Sequence, residues 1–180
     1  MNEQDILDLI KKDENMMNVL WFAEKLNLPD WMIGAGFVRN KVWDYLHGVT
    51  DSKLGTDVDL VYFDPNGNNE KADEELSKKL KLETGLDWEV VNEVYSHAWK
   101  NFPPYISTED SLSYWTETAT AVAVKLEKGE LKLIAPCGID DLVNLIVRAN
   151  PKCPNSAFLV KERAAKKKWL EKWPKLKVVL

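Results

Sequence analysis

Residues 54–64 read LGTDVDLVYFD. Two carboxylates, Asp57 and Asp59, stand one residue apart, and VDLVYF (58–63) has the β-branched and aromatic make-up of a buried strand. Alternate residues of a strand share a face. The two aspartates are therefore predicted to project together, with Cα atoms roughly 6.6 Å apart at ~3.3 Å per residue. Placed so, they repel, and one tends to stay protonated. A divalent cation removes that cost, because Mg²⁺ takes oxygen ligands, typically one or two carboxylates plus substrate phosphates. The plainer alternative has Asp57 capping a turn and Asp59 facing water on an edge strand.

The preceding segment gives the metal reading its weight. WMIGAG (31–36) reads as a short buried strand entering a glycine turn, and FVRNKVWDYLHG (37–48) as a helix. Phe37, Val38, Val42, Tyr45 and Leu46 form its apolar stripe, and Gly48 marks its end. Glycines let a backbone approach a ligand closely. A helix start offers free N–H groups and partial positive charge, which suit a phosphate. A dinucleotide fingerprint would need a third glycine where Arg39 stands. Arg39 is instead a candidate phosphate ligand, or a partner for Asp44 on the same helix. A glycine turn followed by an Asp-x-Asp strand describes a triphosphate held between backbone and metal.

Working outward, Ile6, Leu9, Ile10, Met17, Leu20 and Trp21 recur at helical spacing and predict one helix over 3–27, stopped by LPD (28–30). PNGNN (65–69) is a loop, 70–82 a charged helix, and DWEVVNEVY (87–95) a second strand. Residues 96–110 read as a loop around NFPPY, and TATAVAVKLEKGELKLIAP (118–136) as a hairpin turning at Lys128-Gly129. GIDDLVNLIVRAN (138–150) reads as a helix capped near its start by Asp140, and 156–173 as a last helix. The pattern predicts an α+β fold, a small mixed β-sheet with helices packed on it.

The 180 residues suit a single domain, 1–180, with a basic C-terminal helix at about 156–173. The net charge of −5 makes no general case for nucleic acid, and DNA binding is not expected. Residues 161–180 hold eight Lys/Arg against two Asp/Glu, so the rest carries −11. That basic stretch is a solvated amphipathic helix or a grip for RNA, phosphate or a partner. Two lone cysteines, Cys137 and Cys153, give neither a disulfide framework nor a zinc pattern and suit a cytoplasmic protein. The polar start is not a signal peptide, and no apolar run approaches the ~20 residues that span a bilayer. Trp31, Trp43, Trp88 and Trp115 are expected to pack in or beside the core. His97 is expected to make a structural hydrogen bond, and His47 to sit at a helix end.

IGAGFVRNKVWDYLHG, TDVDLVYFD, WEVVN with His97 after it, TATAVAVKL, APCGIDDL, VRANP and WP near the end resemble the nucleotidyltransferase superfamily. Its fold is that of DNA polymerase β, and the likeness is to a bacterial branch of small proteins of that family. The resemblance implies Mg²⁺- or Mn²⁺-dependent transfer of a nucleoside monophosphate from an NTP to an acceptor. A protein hydroxyl, a small molecule and an RNA end all stay open as acceptors. Asp57 and Asp59 would bind the metals, with Glu89, opening the next strand, as the third carboxylate. Gly34, Ala35, Gly36, Arg39 and Asn40 would face the nucleotide. Ala35 parts a glycine pair that is adjacent in the family pattern, and Tyr95 stands where the pattern has arginine. The alternatives are a catalytically silent nucleotide- or partner-binding module of the same fold, and an RNA-binding protein acting through the basic C-terminal helix.

Overall fold

The computed structural model describes residues 1–50, 55, 57–67 and 70–180. The N-terminal apolar pattern forms two helices, α1 (Glu3–Lys11) and α2 (Glu14–Glu24), where one was expected. The break is chemical. The Asp13 carboxylate accepts from the backbone N–H of Asn15 and Met16, so it caps a new helix inside an unbroken apolar rhythm. Ile6, Ile10, Met16 and Leu20 are fully buried, whereas Trp21 stays exposed.

Strand β1 (Met32–Gly34) leads into α3 (Gly36–Leu46), and Lys41 on α3 pairs with Asp13 at 2.7 Å. Phe37, Val38, Val42 and Trp43 form the buried face of α3; Tyr45, expected in that stripe, is exposed. Then come β2 (Asp57–Tyr62), α4 (Glu70–Thr84) and β3 (Asp87–Asn92). The second predicted strand stops at Asn92, whose side chain accepts from Val94 N–H and caps the short α5 (Glu93–Ser96). A 3₁₀ turn (His97–Lys100) and α6 (Thr108–Leu112) occupy the stretch expected to be loop.

The predicted hairpin is β4 (Ala123–Glu127) and β5 (Glu130–Ile134). Lys128 and Gly129 both take positive φ, 54° and 82°, as a two-residue turn between twisted strands requires. Among the described residues, five strands form a sheet in the order β3-β2-β1-β4-β5, with only β2 and β3 parallel. That parallel pair is the crossover unit closed by α4. It turns Val58, Leu60, Trp88 and Val90 into the core and the alternate residues outward.

Two expectations at the C-terminal end need correction. The helix expected over 138–150 is a single turn, α7 (Asp140–Val143), followed by β6 (Ile146–Arg148). Its N-cap is Ile139 with no side-chain cap; Asp141 instead pairs with Arg148 at 2.9 Å. The helix expected over 156–173 is broken into α8 (Ser156–Lys166) and α9 (Trp169–Lys172) by Lys168 at φ 51°. Strand β7 (Lys177–Val179) then pairs parallel with β6. Trp169 and Trp173 pack edge-on against Trp43 at 5.6 and 5.0 Å, which seats this end of the chain on α3. No helix among the described residues is long and apolar enough to cross a membrane.

Candidate active site

One cleft of about 350 Å³ gathers the outward face of β2–β3, the start of α3 and the end of α8. Its acidic wall follows from strand geometry. Asp59 stands in register with Glu89 on the parallel neighbour, and Asp57 lies two residues before Asp59 on the same face. All three line the cleft, with Val61 and Val91 continuing that face beyond them. The Asp59 carboxyl is pushed up to about 6, first by burial and then by the charge of Glu89, with Lys167 and Arg39 opposing and Asp57 adding to the rise. Among the described residues, no three acidic, His or Cys side chains converge tightly enough to enclose a metal ion by themselves. What the strands offer is an open set of hard oxygen donors on one wall, which leaves coordination positions for ligands from outside the protein.

Facing this wall is the turn into α3. Ala35 takes φ 52°, ψ −121°, a region in which side-chain-bearing residues are strained, and its N–H donates to Val122 O at 3.2 Å. Ala35 and Gly36 line the cleft. Gly34 does not. A Cβ there would lie 2.6 Å from Trp115 Cη2, so this glycine makes room for an indole rather than for a ligand.

Arg39 and Asn40 lie one turn into α3 and both line the cleft. Arg39 is buried, with Nη1 donating to Thr120 Oγ1 at 2.8 Å, and Nε and Nη2 to Asn40 Oδ1 at 3.2 and 3.0 Å. Its guanidinium stacks over Trp169 at 4.6 Å and Trp43 at 5.1 Å. Burial lowers it to about 10, and Glu117 pulls it back, so it keeps its charge at neutral pH. Asp44, the alternative partner considered from sequence, accepts from Trp173 Nε1 at 2.7 Å.

Several lining residues carry no sequence signal. Arg163 and Lys167 reach the cleft from α8, and Lys100 from the 3₁₀ turn. Glu93, four residues beyond Glu89, is buried at the floor and accepts from Ser96 Oγ; burial raises its carboxyl. Trp99, Phe102, Tyr105 and Tyr114 wall the far end, the last three packed at 5.2–6.4 Å between centroids. The residues that separate them in sequence vary too widely for any motif to announce them. His97 packs edge-on against Tyr105 at 5.9 Å, and among the described residues its Nδ1 is buried without a hydrogen-bond partner, unlike the expectation for it. His47 caps the end of α3: Nδ1 bonds Trp43 O at 2.7 Å, and Nε2 accepts from Lys175 N–H at 3.1 Å.

With the geometry in place, comparison with known proteins agrees with it. A family model described as nucleotidyltransferase matches residues 22–178, and the chain belongs to that family. An NMR structure described as revealing a CCA-adding enzyme head domain matches with a TM-score of 0.84 and 32% identity, over 98% of this chain and 95% of that one. The Thermotoga maritima CCA-adding enzyme complexed with tRNA matches at TM-score 0.60 and 17% identity, over 97% of this chain and 42% of that one. A CCA-adding enzyme with ATP gives 0.55 and 18%, over 100% of this chain and 42% of that one. These last two likenesses are of fold, and the chain spans about two fifths of those enzymes' length. No curated protein matches the sequence. The fold is that of the nucleotidyltransferases, the polymerase β-like fold that the turn and the Asp-x-Asp strand led us to expect.

Proposed function

We propose that this protein transfers a nucleoside monophosphate from an NTP to a hydroxyl-bearing acceptor, with Asp57 and Asp59 as ligands to Mg²⁺ or Mn²⁺. The observation that carries the reading is the register Asp59↔Glu89, with Asp57 on the same face and a glycine-edged helix start across the cleft. The donor set fits a hard divalent cation. The oxygens come from carboxylates, Asp59 is raised by burial first and then by the charge of Glu89, and the wall is open to phosphate oxygens that would complete the shell. Bound there, the ions would draw electron density from the acceptor oxygen and from the leaving phosphates.

In this reading each residue has a bounded task. The N–H groups at the start of α3 and the Arg39 guanidinium receive phosphate oxygens, and Asn40 orients that guanidinium. The acceptor oxygen bonds to the α-phosphorus, and the bond from that phosphorus to the oxygen bridging to the β-phosphate breaks. Pyrophosphate leaves with the electron pair, and Glu89, in register with Asp59, is the carboxylate that would take the hydroxyl proton. Residues 1–180 act as one unit, because β2–β3 and α8 line the same cleft.

The test is transfer of label from each of four α-³²P NTPs with Mg²⁺ or Mn²⁺, with total tRNA and a cell extract as acceptors. Wild type should label a product, and Asp57→Asn with Asp59→Asn should not. The size of the product distinguishes RNA, protein and small-molecule acceptors. No label with a competent extract would point to a silent binding module.

A further inference from the structure

We propose that the anchoring site for the nucleotide's β- and γ-phosphates is built by the far end of the chain, from Arg163 on α8 and Lys167 at its C-cap. The inference rests on the nucleotidyltransferase reading and adds to it the residues that would hold the leaving group.

Lys167 N–H bonds Arg163 O at 2.9 Å, so the two lie one helical turn apart and share a face. Both line the cleft opposite the acidic wall; Lys161 and Lys166 of the same helix do not. This selection divides the basic stretch, which in sequence reads as one undifferentiated run.

Arg163 is already set as an anion receptor. Its Nε donates to Glu117 Oε1 at 2.6 Å, and Glu117 is fully buried. The Trp169 ring holds its other flank at 5.9 Å. Among the described residues, no hydrogen bond uses its two terminal nitrogens, and the side chain keeps about a third of its exposure. A guanidinium fixed through Nε, with its fork unspent, suits paired phosphate oxygens.

The surrounding charges are divided between the two sides of the cleft. Arg39 stacks on the same Trp169 ring at 4.6 Å, so two guanidiniums crowd one indole. Between them stands a single carboxylate, Glu117, one of whose oxygens is buried without a partner. At this end of the cleft two cations share one buried anion, and Lys167 stands with them on the wall; across from them Asp59 draws on both Arg39 and Lys167. A polyphosphate that carries a divalent cation fits both sides, its oxygens toward the basic end and its cation toward the acidic wall.

The experiment is calorimetric titration of the full chain, with Mg²⁺ present, using ATP, inorganic tripolyphosphate and AMP as probes. Lys167→Ala and Arg163→Lys are compared with wild type and with Lys161→Ala, and thermal unfolding checks that each is folded. Both cleft variants should bind ATP and tripolyphosphate about tenfold more weakly while AMP binding changes little. Lys161→Ala should match wild type. Tripolyphosphate binding that survives intact in Lys167→Ala and Arg163→Lys, or equal loss for AMP, overturns the inference alone. Wild type that binds neither ATP nor tripolyphosphate overturns the functional reading beneath it.

Discussion

Asp59 and Glu89 stand directly opposite one another on parallel strands, and the Asp59 carboxyl, half withdrawn from water, is held at about 6. The cost of that arrangement appears in the empty protein, and it has a sign. An acid whose folded value lies above its unfolded one stabilises the fold most when protonated. The Asp59 contribution to stability therefore falls as pH rises from about 4 through 6, and is flat beyond. Asp59→Asn should remove this dependence. In metal-free buffer at pH 8 the variant should be more stable than wild type, by at most about 3 kcal/mol, at 1.36 kcal/mol per unit. At pH 4 the two should coincide. Urea unfolding at pH 4, 5, 6 and 8 checks this; a difference that does not change with pH would count against it.

Ala35→Gly should stabilise the protein. Ala35 holds φ 52°, ψ −121° without a side-chain cap for α3, a conformation glycine adopts freely. Relief of strain outweighs the added chain entropy, for a net gain of about 0.5–2 kcal/mol in urea unfolding.

The neighbouring substitution should do the reverse. Gly34→Ala drives a methyl to 2.6 Å from Trp115 Cη2 and 2.9 Å from Cζ3, and an indole has no flexible end to yield. A loss of about 1–3 kcal/mol is expected. Trp115 also lines the cleft, so nucleotide affinity should fall as well. Equal stability of Gly34→Ala and wild type would show that the indole moves away without cost.

Asp73→Ala should be the most damaging of the four. The buried Asp73 carboxylate accepts from Tyr62 Oη and from Asn92 N–H, each at 2.7 Å, and also from Tyr95 Oη. Removing it strands two phenols and a strand amide, at about 1–3 kcal/mol for each donor left buried and unsatisfied. Tyr62→Phe, which removes one donor and leaves the acceptor served, should cost about 1 kcal/mol. Chemical unfolding of both variants gives the comparison.

How far the sequence speaks depends on whether a signal is local. Strand β2, helix α3 and the hairpin at Lys128-Gly129 are legible because period, β-branching and turn residues coincide within a dozen positions. Strands β6 and β7 are not. Three residues give no period, and Ile146 and Val147 continue the helical rhythm of Leu142 and Val143. The split at Asp13 hides in a similar way, because the apolar spacing runs straight across it. The acidic wall is legible for the same reason as β2. Arg163 and Lys167 are not, since only the tertiary fold decides which members of the basic stretch turn inward, and Lys100 stands as an isolated lysine in its 3₁₀ turn. Tyr95 gives its hydroxyl to Asp73 and is thereby tied to the fold's framework.

The two sides of the cleft are far apart in the order of synthesis. The strand carboxylates end at Glu89 and the α8 cation of the cleft, Arg163, comes about seventy residues later. At roughly 5–20 residues per second, a ribosome takes several seconds to cover that interval. Through it the acidic strands have Arg39 and then Lys100 beside them but neither Arg163 nor Lys167, and the Trp43 surface waits for Trp169 and Trp173. A nascent chain therefore presents the acidic wall before half of the cations that face it, and the basic end closes on that wall only once α8 is made.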